Sequence, residues 1–192
     1  MENGFNSLVQ KPAPDWKAEA LIGEEFKTLS LGDFKGKWVC LFFYPLDFTF
    51  VCPTEITAFN DAQKKFKELN CEVIGSSVDS KFSHLAWAKT PRKEGGLGKL
   101  SIPLLADITK KVGKDYGVLV NDSVTLRGLF LINPKGVVQY QLVHDLGIGR
   151  NVDEVVRVLS ALQEVEKTGE VCPANWQPGK QTMKPDPTGS KD

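Results

Sequence analysis

The chain has 192 residues, enough for one domain with a sizeable core and not comfortably for two. Hydrophobic and charged fractions of 41% and 25% are ordinary for a globular protein, and 24 Lys plus Arg against 24 Asp plus Glu leave no global field for nucleic acid or an anionic membrane. The start, MENGFNSLVQ, lacks the basic and apolar regions of a secretory leader and no apolar run could span a bilayer, so a cytoplasmic location is the expectation.

In chain order, residues 1–14 hold two prolines and little periodicity, and read as a tail. EEFKTLSL alternates apolar and polar residues and suits an N-terminal hairpin or edge strand. KWVCLFFY is a near-continuous apolar run, as in a strand buried on both faces. PTEITAFNDAQKKFKELN places Ile56, Phe59, Phe66 and Leu69 on one face of a helix. CEVIGSSVD is a second buried strand. KFSHLAWAKT is a short helix stopped before Pro91. SIPLLAD reads as a short strand and ITKKVGKDYG as a short helix. TLRGLFLI and VVQYQLV flank the turn signal NPKG and predict a hairpin. NVDEVVRVLSALQEVEKTG is the clearest helix: Asn151 caps it, Glu154 gives a capping-box-like pair, Gly169 ends it, and Val155, Val156, Leu159 and Leu162 form its stripe. The closing QPGKQTMKPDPTGSKD reads as extended or disordered. The sum is an α/β chain with a central mixed sheet flanked by helices, divided into a domain at 1–170 and a tail at 171–192.

Four cysteines, Cys40, Cys52, Cys71 and Cys172, are too few and scattered for a disulfide scaffold. Cys40 and Cys71 lie in buried-strand contexts and read as inert core. Cys52 stands between a strand and a helix, directly before Pro53. A proline suits the first helical position, which makes Cys52 the expected N-cap, its sulfur facing the free N–H groups of residues 54 and 55. Those groups and the helix dipole favour thiolate, the nucleophilic form. Glu55 in the first turn works against this, so a cation is expected nearby. Arg127, a lone charge inside the apolar TLRGLFLI, needs a partner, and a thiolate with a carboxylate would supply one.

YPLDFTFVCPTE resembles the peroxidatic motif of the peroxiredoxins, with Pro45, Thr49 and Cys52 in its fixed positions. GEVCPANW around Cys172 resembles the resolving segment of the typical two-cysteine subgroup, and HLAWAKTPRKEGGLG and RGLFLINPKG match it too. The resemblance runs from about residue 8 to about residue 186. It implies a thioredoxin-like fold and reduction of hydrogen peroxide and organic hydroperoxides. In that family's pattern Cys52 attacks the O–O bond and becomes a sulfenic acid, Thr49 bonds the peroxide, Arg127 polarises the pocket, and Pro45 shields the sulfur. Trp87 would take a supporting place beside the pocket. Cys172 would resolve the sulfenic acid of a second subunit in an antiparallel homodimer, often one of five in a ten-membered ring, with a thioredoxin-like protein as reductant. A holdase chaperone or peroxide-relay activity can accompany the peroxidase in such proteins. A general disulfide oxidoreductase is the weaker alternative, since no Cys-x-x-Cys pair is present.

No cofactor or metal is expected: His84 and His144 stand apart, and GIGR before Asn151 reads as a plain turn. Lys64, Lys65 and Lys67 read as a solvated helix face. GGLG, Gly95 to Gly98, reads by itself as a flexible loop, and in sensitive members it accompanies a C-terminal Tyr-Phe helix. After Met183 this chain has only KPDPTGSKD. The expectation is therefore an exposed, mobile Cys172, fast resolution and resistance to over-oxidation.

Overall fold

The computed structural model describes residues 7–190, which fall into two compact units divided between Arg150 and Asn151. The first is built on a seven-stranded mixed sheet. Its strands are β1 (Lys17–Ile22), β2 (Glu25–Ser30), β3 (Trp38–Phe43), β4 (Cys71–Ser77), β5 (Leu104–Ala106), β8 (Arg127–Ile132) and β9 (Val138–His144), in the order β2-β1-β5-β4-β3-β8-β9. β3, β4 and β5 run parallel, and the outer pairs are antiparallel. A two-stranded ribbon, β6 (Leu119–Val120) with β7 (Val124–Thr125), precedes β8. The helices are α1 (Cys52–Asp61), α2 (Gln63–Glu68), α3 (Lys81–Lys89) and α4 (Lys111–Asp115).

KWVCLFFY forms the central β3, every residue of which is buried. The pleat sends Val39, Leu41 and Phe43 to one face, where they join Ile74, Leu105, Phe130 and Ile132. Phe42 points the other way and stacks on Phe59 of α1 with centroids 4.4 Å apart. That stacking fixes α1 against the end of the strand that precedes it.

The N-terminal hairpin is present, with β2 at the sheet edge; its partner KAEALI lacks strict alternation and passes as loop in sequence. The helix expected over 53–70 is broken at Ala62 into α1 and α2, although Ile56, Phe59 and Phe66 are buried as expected. Part of the N-terminal tail is tied down: Gln10 N donates to Val138 O and Ala13 N to Gly136 O. The rest of that tail, residues 1–6, lies outside the described residues.

GGLG is a stitched turn rather than a loose loop. Leu97 N donates to Trp87 O, Gly98 N to Thr90 O, and Trp87 Nε1 to Gly95 O. Gly96 has no alternative here, since a Cβ would sit 2.0 Å from the Thr90 carbonyl oxygen.

The second unit holds α5 (Val152–Thr168) and the C-terminal segment. Asn151 Oδ1 accepts from Glu154 N, and Gly169 ends the helix at φ 72°. The buried positions of α5 are Val155 and Leu159; Val156 and Leu162 are half-buried. The C-terminal segment is not free chain. Val171 and Met183 exchange two backbone hydrogen bonds of 2.8 and 2.9 Å.

Candidate active site

The sheet delivers the reactive residues from three places. β3 ends at Phe43, the chain crosses the loop 44–51, and α1 begins with Cys52. The helix cap lies one residue earlier than expected. Val51 has φ −79° and ψ −37° and is the N-cap, which makes Cys52 the first helical residue and Pro53 the second. The expected donors to sulfur are therefore engaged: Thr54 N and Glu55 N both bond Val51 O, at 3.1 and 3.3 Å. What faces the sulfur instead is a guanidinium. Arg127 Nη1 lies 3.4 Å from Cys52 Sγ, and Cys52 is 1% exposed.

Arg127 opens β8 and is held from both sides. Its Nε and Nη2 donate to Leu146 O at 2.8 and 2.7 Å, and Nη1 donates to Glu55 Oε2 at 2.6 Å. Burial works against the Arg127 charge, but the Cys52 sulfur and the Glu55 carboxylate outweigh it and hold the guanidinium above the usual arginine range. The sequence reading of Arg127, Glu55 and Cys52 as mutual partners is the geometry observed.

A second arginine, with no usable sign of its role in the sequence, completes the cluster. Arg150, the last residue of GIGR, is buried. Its Nε and Nη2 take Glu55 Oε1 and Oε2 at 2.7 and 3.0 Å, and its backbone N takes Oε1 at 2.8 Å. Nη1 donates to Phe43 O and Gly128 O, while the guanidinium lies over the rings of Phe42 and Phe59. The turn reading of this stretch therefore missed a structural cation. Two guanidiniums face one carboxylate in a water-poor site, a surplus of one positive charge. That surplus lies beside the Cys52 sulfur.

The loop before Cys52 is pinned by a buried polar cluster that also went unread. Asp47 Oδ1 accepts from Tyr44 Oη at 2.9 Å, and Oδ2 accepts from Ser83 Oγ at 2.8 Å. His84 Nδ1 lies 2.8 Å from the same Oδ2, and Asp47 N donates to Asp79 Oδ2. The signal was there: Asp47 is the one charge in the apolar FYPLDFTF, and a charge among apolar residues needs partners. Burial and the neighbouring Asp47 push the Tyr44 hydroxyl well above the usual tyrosine range. His84 is thus an interior tether on α3, whereas His144 is half-buried at the end of β9 near Ile148 O.

Pro45 is buried in this loop. Thr49 Oγ1 donates to Leu46 O at 3.0 Å, which leaves its lone pairs for other donors. Phe48 sits at φ 54°, a left-handed conformation unusual for an aromatic, and its ring meets Trp87 at 5.6 Å. Trp87 thus joins the GGLG turn to the loop that carries Thr49.

Cys40 and Cys71 are chemically quiet. Burial pushes the Cys40 thiol up to about 12 against the pull of Arg150, and burial with Cys40 and Glu72 pushes Cys71 well above the usual range. Cys172, in the second unit, is half-buried rather than exposed, its Sγ 3.8 Å from Ala161 O on α5.

Known proteins resemble the chain in sequence and fold. The AhpC/TSA family pattern matches residues 9–141, and that of the C-terminal domain of 1-Cys peroxiredoxin matches residues 161–192. The chain is 56% identical over 188 residues to Peroxiredoxin-2 of Macaca fascicularis, covering 97% of this chain and 95% of that protein. It is 58% identical over 185 residues to the mitochondrial thioredoxin-dependent peroxide reductase of Mus musculus, covering 96% and 72%. Its structure is similar to that of the reduced 2-Cys peroxiredoxin of Plasmodium vivax, with a TM-score of 0.93, 54% identity, and 94% and 95% of the two chains covered. With a thiol, a guanidinium and a carboxylate gathered at the first turn of a helix on a mixed sheet, and with these likenesses along nearly its whole length, the chain belongs to the peroxiredoxin family of thioredoxin-fold thiol peroxidases.

Proposed function

We propose that Cys52 reduces hydrogen peroxide or an organic hydroperoxide, that the partner subunit's Cys172 closes the resulting disulfide, and that a thioredoxin-type dithiol reopens it. The observation that carries this reading is the contact between Cys52 Sγ and a charged, doubly anchored Arg127 at 3.4 Å. The thiolate attacks one peroxide oxygen, the O–O bond breaks, and the departing alkoxide or hydroxide takes a proton. Arg127 Nη2 carries a second N–H beyond the one given to Leu146, available to the charge moving onto that oxygen. The Thr49 lone pairs would accept the peroxide O–H, and buried Pro45 would keep water from the sulfur.

Recycling by a thioredoxin-type protein is supported by the name of the Mus musculus relative. Association of copies is supported by the apolar surface: Phe50 is 93% exposed, with Leu46, Phe48 and Phe82 also exposed. A homodimer, and a ring of five dimers, is the assembly this reading takes. The cytoplasm is the setting this reading takes, since a reducing compartment keeps scattered cysteines as thiols.

A second reading has one observation behind it, the match of residues 161–192 to the C-terminal domain of 1-Cys peroxiredoxin. In a one-cysteine cycle an external thiol would reduce Cys52 directly. Non-reducing electrophoresis after one equivalent of peroxide separates the two. The proposal requires a covalent dimer in the native chain and none in Cys172→Ser. Undiminished turnover of Cys172→Ser with thioredoxin would establish the one-cysteine cycle instead.

A further inference from the structure

The turn HDLGIGR that leaves β9 meets the reactive residues at three points. Leu146 O accepts from Arg127 Nε and Nη2 at 2.8 and 2.7 Å. A Cβ at Gly149 would stand 3.4 Å from Val51 Cγ1 and 3.6 Å from Glu55 Cγ, so the backbone there lies against the first turn of α1. Arg150 takes both oxygens of Glu55. Yet residues 145–149 are all exposed, and Gly147 and Gly149 leave the backbone permissive. Hydrogen bonds, rather than burial, must fix the turn against its own conformational entropy.

Two of these bonds are local: Leu146 N donates to Asp145 Oδ1 at 2.8 Å, and Ile148 N to Asp145 O at 3.3 Å. The third ties the strand to the far end of the turn. His144 Nδ1 stands 3.3 Å from Ile148 O. A carbonyl oxygen only accepts, so Nδ1 carries the proton in this contact. In a neutral ring that is the Nδ1–H tautomer, which brings a donor and no charge. His144 and Arg127 are directly opposed across β8 and β9, so their side chains share a face of the sheet. A lysine at 144 would add a second cation to that face.

The guanidinium of Arg127 is a planar fork. Spending its Nε–Nη2 edge on one carbonyl sets both the plane and the rotation of the group. Nη1 is then the corner that reaches Cys52 Sγ at 3.4 Å and Glu55 Oε2 at 2.6 Å. Glu55 holds Nη1 by itself, so a displaced Leu146 carbonyl would tilt the guanidinium rather than free it. We propose that His144 is a positioning residue for Arg127: by donating to Ile148 O it closes the turn, holds the Leu146 carbonyl in place and so aims Nη1 at the Cys52 sulfur. The inference rests on the reading above that Cys52 reduces the peroxide.

The test compares the native full-length chain with three variants. His144→Phe keeps a ring and removes the donor. His144→Asn keeps a donor, since its Nδ2 stands as many bonds from the backbone as Nδ1 of histidine. Asp145→Ala removes the acceptor of Leu146 N and loosens the same carbonyl from its other side. Stopped-flow mixing with hydrogen peroxide gives the second-order rate constant of Cys52, and urea unfolding gives the stability of each variant. His144→Phe should react about three- to tenfold more slowly than the native chain, the scale of one neutral hydrogen bond, with its urea midpoint unchanged. His144→Asn should recover most of that loss, and Asp145→Ala should be slowed in the same sense. A native rate in His144→Phe or in Asp145→Ala overturns the proposal, as does a His144→Asn variant as slow as His144→Phe. A native chain whose Cys52 stays reduced under peroxide overturns the underlying reading instead, and is seen before any variant is compared.

Discussion

The two sulfurs of the proposed cycle occupy opposite physical settings. Cys52 begins α1, is buried, and faces a guanidinium that is itself bonded to Glu55 and Leu146. Cys172 lies half-buried in a loop gathered by backbone hydrogen bonds and by one from Arg157 to Trp176 O. In the proposed cycle the first sulfur reacts where it stands, and its surroundings are fixed in advance. The second must travel, so what holds it has to be breakable. Preorganisation and release cost opposite things, and the chain assigns them to separate compact units.

The sharpest way to break the comparison is Arg127→Gln. It keeps a polar group near the sulfur and deletes the charge. The expected loss in kcat/KM for peroxide is about 10²–10³, the scale of removing one donor aimed at developing charge. Stopped-flow consumption of peroxide measures it, and alkylation of Cys52 by iodoacetamide at neutral pH should slow in parallel. A loss of only a few fold would mean that the helix start suffices without the guanidinium.

Next is Glu55→Gln, which strands two buried guanidiniums beside one neutral amide. The folded state should lose about 3–5 kcal/mol, as when one partner of a buried ion pair is removed. Urea unfolding followed by tryptophan fluorescence reads this directly. A loss below 1 kcal/mol would show that water reaches the cluster and screens the two guanidiniums from each other. The smallest effect belongs to Cys71→Ala. Removing that buried sulfur should cost on the order of 1 kcal/mol, with peroxide consumption unchanged. A change in rate would place a third cysteine in the chemistry and blur the contrast between the two sulfurs.

What could be read from the sequence follows from the range of the interactions. Cys52 was legible because Pro53 marks a helix start locally, and Arg127 because a lone charge in TLRGLFLI demands a partner. The β8–β9 hairpin and α5 carry their own turn and cap signals, and both stand where the pattern put them. Arg150 was illegible: GIGR has no periodicity, and its partner Glu55 lies 95 residues earlier in the chain. The cap assignment missed by one position because the Val51 carbonyl, not the sulfur, takes the free amides. The break at Ala62 left no mark in a continuous apolar stripe. The C-terminal loop misled for a different reason. A Pro- and Gly-rich composition argues against helix and strand, yet it does not forbid a loop closed by its own backbone bonds and an arginine.

The Glu55 carboxylate has a reach beyond chemistry at the sulfur. Through Arg127 it grips the start of β8 and the turn at Leu146; through Arg150 it grips the end of β3. One ionic knot therefore ties the nucleophile to the central seam of the sheet. A change at the sulfur therefore meets Arg127 first and, through the shared carboxylate, the strands on both sides of that seam.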